Sequence, residues 1–148
     1  MFKTYIEKFI KAIDEELNVT FINEDGWNFA TGTNTVNVAI NDTEDCGFIR
    51  HLKEVHKCKF ADKFSLTLWS ILHEIGHYET EDFVDFDEEM DDRIMLYLTE
   101  DTVKTNKKIQ DKYFNLPSEW EATEWAIWWI TENWELATKF DANYPKGV

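Results

Sequence analysis

Cysteine is scarce: Cys46 and Cys58 are the only two, and they lack a CxxC spacing. At most one disulfide could join them, and we read both as reduced thiols. Basic residues are scarce too, 15 Lys and Arg against 30 Asp and Glu, for a net charge of −15. Such a chain should repel nucleic acid and anionic membranes, so no direct nucleic-acid binding is expected. It would favour basic partners or mimic a nucleic acid, unless the acidity only keeps an aromatic-rich protein soluble. No stretch approaches the ~20 apolar residues of a membrane span. The start, Met1-Phe2-Lys3-Thr4-Tyr5-Ile6-Glu7-Lys8, has no long apolar core of a signal peptide. The expected location is cytoplasmic. No internal repeat or low-complexity linker breaks the 148 residues, which fit one domain over 1–148. With 43% hydrophobic and 16% aromatic residues, the chain can bury a real core.

The apolar pattern predicts an α+β fold. Phe2, Ile6, Phe9, Ile10, Ile13 and Leu17 mark one face of an amphipathic helix. Val19 and Phe21 read as a strand entering the turn Asn23-Glu24-Asp25-Gly26. Trp27 and Phe29 suggest a second strand, and Gly32-Thr33-Asn34 another turn. Thr35 to Ile40 alternates with period two. Residues 18–42 are therefore expected to form a small antiparallel sheet. A helix is expected within 45–57, with Phe48, Leu52 and Val55 inward. A stronger one runs from Asp62 to Tyr78, burying Phe64, Leu68, Ile71, Leu72 and Ile75. Residues 79–92 carry only acidic charges and read as a solvated loop or helix entry. Ile94, Leu96 and Leu98 fit helix or strand, and Thr102 to Asp111 resembles a connection. A long last helix starts near Leu116-Pro117-Ser118, with Ser118 and Glu121 as a capping box, and runs to about Phe140.

His73-Glu74-Ile75-Gly76-His77 is an H-E-x-x-H sequence on a predicted helix. Histidines at i and i+4 share a face and can reach one zinc ion. Glu74 beside them can take a proton from an activated water. The plain alternative is a solvated helix end whose histidines stabilise its negative pole. The extended metzincin pattern fails, because Thr80 and Phe83 stand where glycine and histidine are needed. No histidine follows His77. The remaining common third ligand is a carboxylate from a downstream helix.

Glu119-Trp120-Glu121-Ala122-Thr123-Glu124-Trp125-Ala126 offers two candidates. Together with the H-E-x-x-H sequence, this E-x-E-A-x-x-aromatic-A pattern resembles the ImmA/IrrE family of glutamate-zincin metallopeptidases, over residues 64–130. The resemblance implies a zincin-like domain, a zinc cofactor, a peptide substrate and members carried by phages and mobile elements. It carries the third-ligand role onto Glu119. Helix geometry agrees, since Glu119, Ala122, Ala126 and Ile130 share a face. Glu121 remains the rival ligand. The chain departs from the family picture in lacking a helix-turn-helix domain and in a helix rich in tryptophan. Trp125, Trp128 and Trp129 read as core.

Weaker features are His51, His56 and Cys58, whose spacing matches no standard metal site. Tyr78, Tyr97 and Tyr113 are candidates to stabilise an oxyanion. The leading expectation is a zinc peptidase that holds metal through His73, His77 and Glu119, with Glu74 as general base and a protein or peptide substrate, basic in character. The strand at 35–40 would hold substrate by edge pairing. The second expectation is an acidic, non-catalytic protein that binds or inhibits a basic or nucleic-acid-binding partner, with a structural or vestigial zinc site.

Overall fold

The computed structural model of the protein describes residues 2–23, 28–30, 33–39, 47–97 and 107–144. These hold seven α-helices and three strands, the expected α+β class. Helix α1 (Phe2–Ile13) follows its apolar stripe, with Ile6, Ile10 and the following Leu17 buried. Its aromatic side chains reach the far end of the chain. Phe9 meets Trp129 and Phe140, and the Tyr5 hydroxyl donates to the Phe140 carbonyl at 2.9 Å.

Strands β1 (Asn18–Ile22), β2 (Asn28–Ala30) and β3 (Thr35–Ala39) form one sheet in the order β1-β3-β2. β3 pairs parallel with β1 and antiparallel with β2. The sheet is therefore mixed, which corrects the antiparallel expectation. Alternation marks a strand but not its direction. Thr35, Val36, Val38 and Ala39 are all buried, on both faces of β3, and such a strand takes the centre of a sheet. This also corrects the edge-pairing idea: β3 is hydrogen-bonded on both sides, so it offers a peptide no free edge. Trp27, Gly32 and Ile40 lie outside the described residues, as do most of the turn at 23–26 and Cys46.

Helix α2 (Phe48–Glu54) buries Phe48 and Leu52 as expected, and Val55 is half-buried. Helix α3 (Leu66–Thr80) begins later than Asp62. Ser65 caps it, accepting from the Leu68 N–H at 3.1 Å, and Asp141 fixes Ser65 through its N–H and hydroxyl. Asp62 lies instead in a short 3₁₀ turn, Ala61–Lys63. The predicted stripe is buried throughout. Helix α4 (Phe86–Tyr97) settles Ile94 and Leu96 as helical and turns part of the acidic run into ordered structure. Leu98 and residues 102–106 lie outside the described residues, while 107–111 belong to helix α5 (Lys107–Phe114). No helix among the described residues is long and apolar enough to cross a membrane.

The expected last helix is two helices, α6 (Pro117–Glu132) and α7 (Trp134–Asn143). Asn133, at φ −129° and ψ 42°, breaks the run, and its side-chain amide donates to the Trp129 carbonyl. An Asn side chain competes for backbone partners in this way. The capping box is also corrected. Leu116 is the N-cap with no side-chain hydrogen bond, Pro117 fills the first turn, and Ser118 is buried against another helix. Of the three tryptophans, Trp129 is core and Trp125 partly buried, but Trp128 is 54% exposed.

The packing of α3 on α6 positions everything that follows. The Glu119-Ala122-Ala126-Ile130 face is buried, as its spacing predicts. Gly76 is the closest point: a Cβ there would lie 2.5 Å from the Ala122 carbonyl oxygen and 2.9 Å from its Cα. Backbone cannot yield as a side-chain tip can, so glycine is required by close approach. Gly76→Ala should wedge the helices apart and destabilise the protein by about 1–3 kcal/mol. Denaturant unfolding reads this directly, and an unchanged midpoint would show that the helices have slack at Gly76.

Candidate metal centre

His73 and His77 lie one turn apart on α3, with ring centroids 4.8 Å apart. The first two turns of α6 bring Glu119 between them. Its carboxylate lies 3.2 Å from His73 Nε2 through one oxygen and 3.0 Å from His77 Nε2 through the other. One ligand atom from each residue fits within a 4.8 Å cluster, so these three side chains can hold a metal ion. Tetrahedral zinc, with bonds of ~2.0–2.1 Å, sets its ligand atoms roughly 3.3–3.4 Å apart. The two nitrogen-to-carboxylate distances, 3.2 and 3.0 Å, are close to that. Glu121, the rival ligand, points to solvent and is not part of the group.

The hydrogen bonds around the group orient its donors. Thr123 gives its one hydroxyl proton to the Glu119 backbone carbonyl at 2.9 Å. Its oxygen then accepts from His73 Nδ1–H at 3.1 Å. That leaves the His73 Nε2 lone pair facing a carboxylate oxygen. Two acceptors facing each other need positive charge between them, a proton or a cation. An outer partner that fixes a histidine tautomer is common in metal sites. Phe48 holds the same ring edge-on, with centroids 5.2 Å apart.

Electrostatics point the same way. Burial pulls the His77 imidazole down, but the charge and hydrogen bond of Glu119, with Glu74 adding, push it up to about 9. Burial would raise the Glu119 carboxyl, yet His77 and His73 hold it well below the usual carboxylate range. Glu119 is thus held as a carboxylate that favours positive charge on the His77 ring it faces. Glu74 is 7% exposed, and its carboxylate lies 3.9 Å from His77 Nε2. Burial raises its pKa against the pull of both histidines.

A further set of side chains, which the sequence pattern does not mark, supports Glu119 from α4. Glu89, within the acidic run, is buried on α4. One of its oxygens accepts from the Ser118 N–H at 2.8 Å, and the other from the Ser118 hydroxyl at 2.7 Å. Arg93, one turn on, donates to Glu89 at 2.9 Å, to Ser118 at 2.8 Å and to Glu119 at 3.3 Å. The i,i+4 spacing of Glu89 and Arg93 was the only sequence signal, and surface pairs share it. Glu89→Ala should leave Ser118 and Arg93 without this partner, and weaken metal binding ~10–100-fold, as losses of outer ligand support do. Competition with a chromogenic chelator measures it, and unchanged affinity would confine the Glu89 network to holding α4 on α6.

The tyrosine candidates separate. Tyr78 donates to Glu16 at 3.2 Å, Tyr113 lies beneath the Arg93 guanidinium, and the Tyr97 side chain lies outside the described residues. None of the described contacts places a tyrosine hydroxyl at the three-residue group. No protein-family profile, curated protein or solved structure matches this chain.

Proposed function

We propose that the protein is a zinc-dependent peptidase of the H-E-x-x-H type, with His73, His77 and Glu119 as zinc ligands. The observation that carries this reading is the convergence of Glu119 on both histidines from a helix 46 residues away from His73, with Glu74 buried beside them. A purely structural ion needs ligands but no adjacent unligated carboxylate. A zinc ion held there would supply Lewis acidity, lowering the pKa of a water and polarising the scissile carbonyl. Glu74 takes one proton from the attacking water as the new C–O bond forms. It then delivers that proton to the amine nitrogen as the C–N bond breaks. A carboxyl raised by burial suits both halves of that exchange better than an ordinary one. Thr123 and Phe48 keep the His73 ring oriented, and Arg93 with Ser118 keeps Glu119 in place.

The substrate class is a peptide or unfolded protein of basic character. Asp82, Asp85, Asp87, Glu88, Asp91 and Asp92 are exposed on or just before α4, the helix that reaches Glu119 through Arg93. They favour cationic substrates at low salt. The test is cleavage of an unfolded basic polypeptide by zinc-loaded protein and by Glu74→Gln. Cleavage by the wild type alone supports the reading, whereas no cleavage by either, with zinc bound, returns the protein to the acidic binding class.

A further inference from the structure

Apart from the α3–α6 group, the other two histidines are buried together. α2 ends at Glu54 with Val55 as its C-cap, and the Cys58 N–H turns back to the Leu52 carbonyl at 2.9 Å, with Lys57 in the left-handed region at φ 56°. This turn sets His56 beside His51, with ring centroids 5.1 Å apart. Both side chains are 0% exposed. Each Nδ1 faces a carboxylate, His51 that of Asp111 at 3.4 Å and His56 that of Glu124 at 3.1 Å. Trp120 stacks on the His56 ring at 3.9 Å. Each Nε2 is buried with no hydrogen-bond partner.

Two buried ring nitrogens without partners in neighbouring side chains call for an explanation, because buried polar groups are nearly always satisfied. Ordinary core packing does not supply one. A histidine that donates Nδ1–H to a carboxylate presents Nε2 as a bare lone pair, the form that binds metal. Burial pulls both imidazoles down against their carboxylates, which favours that neutral form. Helix α6 serves both places in parallel. Glu119 and Thr123 meet His73, while Trp120 and Glu124, each one residue on, meet His56.

We propose that His51 and His56 form a second metal site, for an ion that prefers imidazole nitrogen, with Asp111 and Glu124 as its outer carboxylates and water completing the coordination. Zinc is the probe, and the site stands or falls independently of peptidase activity. The chain stripped with chelator is titrated with zinc and its bound metal counted after gel filtration, alongside His56→Phe, Glu124→Gln and His77→Ala. His56→Phe keeps a ring against Trp120, so it should fold, as circular dichroism will show. The expected result is two equivalents in the wild type, one in His56→Phe, and one in His77→Ala. Glu124→Gln should weaken the second equivalent tenfold or more and leave the first unchanged. A metal count that His56→Phe leaves equal to the wild type's overturns the proposal, since a second equivalent that survives would belong to the acidic surface.

Discussion

Glu74→Gln should keep its fold and its zinc and lose peptide hydrolysis by ~10²-fold or more. The substitution keeps the shape of the side chain and removes its ability to accept a proton. Glu74 lies outside the three-residue group that can hold a metal, and its carboxylate is 3.9 Å from His77 Nε2. Metal content should therefore not depend on its charge. Burial should not turn the change into a folding defect either, because an amide costs less to bury than a carboxylate. Measuring zinc by mass spectrometry and cleavage on the same preparation separates the outcomes. Joint loss of zinc and cleavage would make Glu74 a ligand or a structural group. Full cleavage with zinc retained would place the base elsewhere.

The site was more legible in the sequence than its support. His73 and His77 are tied by local helix geometry, so their spacing alone brings them together. Glu119 comes from the family resemblance, and the small Ala122 and Ala126 on its face only agree with it; Glu121, two residues on, stays open until the packing of α6 on α3 is seen. Gly76 makes the closest approach to Ala122 from α3, and the x positions of an H-E-x-x-H sequence carry no signal of that contact. Glu89 was hidden by its neighbours: eight other carboxylates from 79 to 92 gave the segment the look of solvent. Nothing local distinguishes the one carboxylate that turns inward to Ser118, because its burial is decided by how α4 docks. The sheet shows the same limit. Period-two alternation located β1 and β3, while their parallel pairing depends on the path between them. Ser118 failed as a cap because Pro117 had already begun the helix. Asn133 sits inside an apolar pattern that continues on both sides, so the pattern alone does not show the break.

The third ligand gives the sharpest contrast between two neighbouring glutamates. Glu119→Gln should weaken zinc binding by ~10²-fold or more, and Glu121→Gln should leave it unchanged. Loss of an outer partner alone reaches 10–100-fold, so loss of a ligand's charge should match or exceed it. Glu119 is 2% exposed and meets both imidazoles, whereas Glu121 is exposed on the same helix. Glu119→Gln retains one acceptor oxygen toward His73, His77 and Arg93, so it should stay folded. Stripped protein keeps the comparison free of bound metal. A chelator competition on the two variants reads affinity, and circular dichroism reads the fold. The reverse ranking would move the ligand to Glu121. It would require α6 to turn by about 200° about its axis, as ~100° per residue dictates, and would bring down the proposed site with it.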